Sequence, residues 1–188
     1  MDAIEALMSR VSIPPKLLVE PAPEGESLDE IMETAMRAPD HGALQPWRFH
    51  IVRGDARVKL GELFAEALLK NDPNADAEAI EKERGRPLRS PLVIVAATKV
   101  SYEKSNVPKV EQIVATAAAV QNIMNAAHAR GFGSFLATGK NARDAHVKAG
   151  FGLSEDDEIV GFVYFGTPLR GAGPKPRPES GVFVSDWG

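Results

Sequence analysis

The spacing of apolar residues changes period several times along the chain, and each change marks an element. MDAIEALMSR is a short amphipathic helix pattern, with Asp2 placed to cap a helix through Ser9. RVSIPPKLLVEPAPEGE follows with four prolines and reads as an extended surface segment. Ser27 and Glu30 form a capping box for a helix with Leu28, Ile31, Met32 and Ala35 on one face, ended by Pro39. WRFHIVR, residues 47–53, alternates in period two, Trp47, Phe49 and Ile51 against Arg48, His50 and Val52, which predicts a strand with one buried face.

Asp55 opens a helix to about Lys70, and NADAEAIEKERG predicts another, polar on most sides, at the surface. PLVIVAAT is continuously apolar and suits a central strand covered on both faces. The longest helix runs from Val110 to Arg130 and is closed by Gly131. Val110, Ile113, Val114, Ala117, Ala118, Gln121, Met124 and Ala127 make one stripe on it, open to two readings: core packing or a seam against a second subunit. GFGSFLATG reads as a short strand, Asn141 caps a helix to about Ala149, and EIVGFVYFG is the last long strand. The tail TPLRGAGPKPRPESGVFVSDWG is rich in Gly and Pro and needs a partner to lie on. Helices interrupt the strands irregularly, so the expected fold class is α+β with a mostly antiparallel sheet, in a single domain over residues 1–188.

Composition narrows the chemistry. The 22 Lys and Arg are scattered among 26 Asp and Glu for a net charge of −4, which leaves no basic stripe for nucleic acid. There is no cysteine, which removes thiolate nucleophiles and Cys-based metal sites and leaves redox chemistry to a bound cofactor. Neither a signal-peptide pattern nor an apolar run of membrane-spanning length stands out, so a cytoplasmic protein without a membrane partner is expected. Gly131, Gly133 and Gly139 have the wrong spacing and follow a helix, which argues against a dinucleotide fingerprint. The histidines His41, His50, His128 and His146 form no metal-ligand spacing, so no metal is expected. A G-x-S-x-G elbow is absent as well.

Two stretches carry more. Arg10 and Ser12 stand just past the first helix, while Lys175 and Arg177 sit in a proline-braced tail. Together they would make a cradle for one phosphate monoester, since charge-assisted bonds to a dianion are strong. Taken separately they are solvated surface cations, and spacing alone leaves both readings open. RAPDHGALQPWRFHIV, residues 37–52, packs Pro39, Asp40, His41, Gly42, Gln45 and Pro46 ahead of a strand, either as a site or as a helix-to-strand turn.

In order along the chain, these segments resemble the flavin-dependent nitroreductase family, in particular its short members without long inserted helices. MDAIEALMSRVS resembles the opening helix and R-x-S, and MRAPDHGALQPWRF resembles A-P-S-x-x-N-x-Q-P-W-x-F. EIVGFVYFGTP resembles the last core strand, and PKPRP the C-terminal K-x-R. The resemblance implies an intertwined homodimer with exchanged C-terminal tails and an FMN in each cleft between subunits. By carry-over Arg10, Val11, Ser12, Lys175 and Arg177 surround the ribityl phosphate. Arg37, Pro39, Asp40, His41 and Gln45 approach the same flavin from the other subunit, and Leu136, Ala137 and Thr138 lie along its ring near N5. The chain departs from the pattern at Val11, where many members have Arg, at Asp40, where they have Ser, and at Ala43, where they have Asn. Asp40 beside His41 reads as a coupled pair that would offset an acidic group next to the reduced ring.

The implied activity is NADH- or NADPH-dependent reduction of a small-molecule electron acceptor such as a nitroaromatic or quinone, in two half-reactions. No side chain need be an essential acid or base, with Arg37 and His41 as candidate electrostatic stabilisers. The alternatives are another flavin reaction on the same fold, namely dehalogenation, flavin fragmentation or azoline oxidation, or a non-catalytic dimer that binds a phosphorylated ligand.

Overall fold

The computed structural model describes residues 1–170, 173 and 175–188. Asp2 caps helix α1, Ala3–Ser9, its Oδ1 accepting from the Glu5 amide at 2.9 Å. A short strand β1, Leu18–Val19, precedes helix α2, Gly25–Ala35, and strand β2, Trp47–Arg53. Helices α3, Ala56–Asn71, and α4, Ala77–Gly85, lead to strand β3, Leu92–Thr98. Helix α5, Lys109–Ala129, strand β4, Gly133–Ala137, helix α6, Ala145–Gly150, and strand β5, Glu158–Pro168, complete the main elements.

The strands run β1-β5-β3-β2, with β4 also paired to β5, and every strand pairing is antiparallel. This is the expected α+β sheet. β3 lies at its centre with all seven residues buried, and period-two geometry sends its side chains to two separate cores. Leu92, Ile94 and Ala96 meet α2 and α5 on one face; Val93, Val95 and Ala97 meet α3, α6 and the N-terminal segment on the other. An edge-on contact of Phe64 with Phe162, centroids 5.0 Å apart, ties α3 to β5.

Several local expectations give way to tertiary packing. Ser27 and Glu30 make no capping box, because the Leu28 amide already bonds the Glu24 carbonyl and the helix starts at Gly25. Asn141 caps nothing: Asp144 accepts from the His146 and Val147 amides at 2.9 and 3.1 Å, while Asn141 turns inward to Glu83. The proline-rich segment is partly a core element, with Ile13, Pro15, Leu18 and Pro23 buried. β2 is an edge strand, so Val52 is buried, Trp47 and Phe49 serve the other core, and Ile51 is exposed. Helix α4 is held closer than a surface excursion requires. A Cβ on Gly61 would collide with the Arg84 carbonyl oxygen, and Glu83 is 3% exposed.

The largest revision concerns α5. Its buried stripe is Gln112, Ala115, Thr116, Ala119, Val120, Ile123, Met124 and Ala127, so of the predicted stripe only Met124 and Ala127 are buried. Gln112 and Thr116 go inside because their polar atoms are met there: Gln112 exchanges two bonds with the Ser101 backbone, and Thr116 bonds Thr98 at 2.8 Å. Val110 and Val114, 61% and 60% exposed, face outward, which rules out core packing for that end of the stripe.

Candidate functional site

Arg10 is the C-cap of α1 and has extended backbone angles, so the chain leaves the helix as a strand-like segment through Val11 and Ser12. Ser12 forms a parallel bridge with Ser134 of β4, and the Ile13 amide bonds the Ser134 carbonyl at 3.0 Å. The tail returns to the same place from the other end of the chain. Lys175 Nζ donates to the Ser12 carbonyl at 3.2 Å, and Arg177 Nη2 donates to the Arg10 carbonyl at 3.1 Å. Four residues separated by more than 160 positions are thereby brought together. Pro174, first residue of the quoted tail motif, lies outside the described residues.

Among the described residues, no side chain balances the charges in this cluster. Among the described residues, Arg10 Nη1 is buried with no hydrogen-bond partner and no ion pair includes Arg10, Lys175 or Arg177. Burial, and then repulsion from Arg177, lowers the pKa of Arg10 from its ordinary guanidinium value. A cleft of about 270 Å³ opens beside it, lined by Ser9, Arg10, Val11, His128, Gly133 and Ser134 among others. His128 bonds Ser9 Oγ at 2.8 Å, and burial followed by Arg10 lowers its pKa, which favours the neutral ring. Cations drawn together without a counter-ion, one with an orphaned donor, fit a dianionic phosphoryl group. Val11 packs against the core, so this chain presents an apolar side chain at that position.

The loop from Arg37 to Pro46 forms a second cluster. Gly42, Ala43 and Gln45 have φ of 75°, 51° and 49°, and the two non-glycine residues cost about 1 kcal/mol or more each in the left-handed region. Three polar contacts hold the strained path. Asp40 Oδ2 accepts from the Gln45 amide at 2.7 Å, Lys104 Nζ donates to the Gly42 carbonyl, and Arg48 donates to the Gln45 carbonyl at 2.9 Å. The expected pairing of Asp40 with His41 is not made. Asp40 is committed to the loop's own backbone, and His41 Nδ1 pairs with the Glu111 carboxylate on the first turn of α5. Pro39, Asp40 and His41 face Val110, Glu111, Val114 and Ala115 across a cleft of about 340 Å³. Arg37 is exposed after the end of α2.

The candidate residues therefore fall into two groups. Arg10, Val11, Ser12, Lys175 and Arg177 lie together, and Leu136 and Ala137 continue the same strand that Ser12 meets at Ser134; Thr138 follows, exposed. Arg37, Pro39, Asp40, His41 and Gln45 form the other group. His41 touches α5 at Glu111, whereas the cradle touches it at His128, and 17 residues of helix separate these points by about 25 Å. Glu111, Lys104 and Ser134 carried no sequence signal, because each acts through a contact distant in the chain. Elsewhere His50 lies against Phe151 with centroids 5.0 Å apart, and His146 bonds Glu66 and Lys70. Among the described residues no cluster of His, Asp and Glu suits a metal, and no helix is long and apolar enough to cross a membrane.

An antiparallel sheet flanked by helices on both faces is the arrangement that comparison with known proteins also finds. The model of the Nitroreductase family matches residues 7–167, and the chain belongs to that family. It is 38% identical over 183 residues to "Putative NAD(P)H nitroreductase YdjA" of Escherichia coli K12, covering 95% of this chain and 97% of that one. It is 34% identical over 172 residues to "Putative NAD(P)H nitroreductase" of Haemophilus influenzae, covering 92% and 91%. Among solved structures, a nitroreductase-like protein of Bacillus cereus superposes with a TM-score of 0.82 at 22% identity, covering 99% and 96%. A point mutant of NfnB, an FMN- and NADPH-dependent nitroreductase from a Sphingopyxis strain, gives 0.77 at 20% identity, covering 100% and 99%. These two likenesses show the fold.

Proposed function

We propose that the protein is an FMN-dependent NAD(P)H oxidoreductase that reduces electron-poor acceptors such as nitroaromatics or quinones, working in the cytoplasm as a homodimer. The observation that carries this reading is the buried Arg10 Nη1, unpartnered among the described residues, beside Lys175 and Arg177 with no carboxylate of those residues paired to them. Family membership and the cofactors named for the NfnB relative agree with it.

When bound, FMN supplies the two-electron chemistry that links NAD(P)H to the acceptor. Arg10, Ser12, Lys175 and Arg177 hold its phosphate. Leu136, Ala137 and Thr138 then border the ring from the adjoining strand. The loop of the same chain sits about 25 Å along α5, beyond the reach of a mononucleotide-sized ligand in the cradle. A second copy supplies the loop instead, so Pro39, Asp40, His41 and Gln45 wall the cleft of the partner subunit. The outward Val110 and Val114, together with exposed Ile4, Leu7 and Met8 of α1, give that second copy an apolar surface. Val182, Phe183, Val184 and Trp187 are also exposed, as expected for a tail that lies on a partner. Arg37 places a positive group at the cleft, where it stabilises negative charge that develops during reduction.

Purified protein tests the reading. It should bind FMN, show a flavin absorbance band and oxidise NADH or NADPH in the presence of a nitro or quinone acceptor. A colourless protein that FMN does not reconstitute would overturn it.

A further inference from the structure

We propose that Glu111 is a positioning residue for His41, fixing which ring nitrogen the loop offers to the cleft. The proposal rests on the reading of the loop as a wall of the flavin cleft. Its own basis is the contact between a strained loop and a helix 70 residues away. His41 Nδ1 meets Glu111 Oε2. A carboxylate only accepts, so Nδ1 carries the proton, and Nε2 is the nitrogen left for a ligand.

The surroundings leave this role to Glu111. Asp40, the neighbouring carboxylate, is bound to the Gln45 amide, and Lys104 is bound to the Gly42 carbonyl. Nε2 of His41 has no hydrogen bond among the described residues, and His41 lines the cleft with Val110 and Val114. A neutral ring held this way accepts a hydrogen bond from an N–H or O–H group of the occupant. The opposite tautomer would instead present a donor. Glu111 thus decides the polarity of one hydrogen bond in a pocket that Pro39, Asp40, Val110, Val114 and Ala115 also line, and it acts on that bond through His41.

Long-range proton–nitrogen correlation spectra of histidine-labelled protein at about pH 9, where imidazole is neutral, read the tautomer directly. His41→Gln assigns the signal. The Nδ1–H form is expected in the wild type and in Glu111→Gln, whose amide oxygen still accepts; Glu111→Ala should change His41 to mainly Nε2–H. The same tautomer in wild type and Glu111→Ala would overturn the proposal. On flavin-loaded protein, Glu111→Ala should raise the acceptor KM about fivefold, with Glu111→Gln close to wild type. An unchanged KM would also overturn it. FMN titration of the wild type separates the two ideas, since absent binding defeats the flavin reading and leaves the tautomer measurement to judge Glu111.

Discussion

Glu83 and Arg10 are both charged side chains drawn into the protein, and only Glu83 meets its opposite charge there. Its carboxylate accepts from Arg86 at 2.6 Å and from Asn141 at 2.9 Å, with Lys140 at 3.5 Å. Burial alone pushes the Glu83 pKa up, yet the bonds from Arg86 and Asn141 and the attraction of Arg86 and Lys140 outweigh it and leave the pKa lowered. Arg10 is treated in the opposite way. Burial and Arg177 both oppose its charge, and one donor has no acceptor among the described residues. A buried charge without a partner is costly, so a structural cluster closes its own circuit as Glu83 does. The open circuit at Arg10 is what the proposed FMN phosphate would close.

Removing all three cations is the strongest way to break this contrast. The triple variant Arg10→Ala, Lys175→Ala, Arg177→Ala should retain no FMN through purification, and a flavin-loaded triple variant would show that the cradle is not the anchor. Arg10→Ala alone should weaken FMN about 10- to 100-fold, equivalent to roughly 1.5–3 kcal/mol for a hydrogen bond to a charged group. The same change should leave the Tm of flavin-free protein unchanged or slightly higher, because it relieves repulsion from Arg177. A fall in both quantities would make Arg10 a structural residue.

Glu83→Gln sharpens the other side of the comparison. It should lower stability by about 1–3 kcal/mol near neutral pH without changing FMN affinity. The folded pKa of Glu83 lies below its unfolded value of 4.5. Its contribution is therefore complete above that pH and drains away as pH falls through the lowered folded value. Urea unfolding from pH 7 downward should show the wild type and the Gln variant converging in acid; parallel curves would remove Glu83 from the account.

Local patterns reported some of this protein faithfully. The continuous apolar run at 92–98 and the Asp2 cap form as their residues dictate, because neighbours in sequence are neighbours in the element; the period-two run at 47–53 forms its strand but buries Val52 in place of Ile51. The Ser27 box and the Asn141 cap were plausible alone and lost to better competitors, the Glu24 carbonyl and the Asp144 carboxylate. On α5, apolarity pointed to the wrong face, since Gln112 and Thr116 are buried by virtue of hydrogen bonds with residues before the helix. Resemblance picked out Arg10, Ser12, Lys175 and Arg177, and charge chemistry gave a reason for that set. Neither could show that they meet.

Side-chain chemistry and periodicity, both short-range properties, were enough to determine the alternation of elements and the antiparallel α+β class. Tertiary structure alone decided that the two ends of the chain converge on Ser134, and that His41 turns from Asp40 to Glu111. It also decided that cradle and loop stand at opposite ends of α5. Such relations depend on contacts made across more than 60 residues of chain, where packing and burial choose among partners that are equivalent in composition.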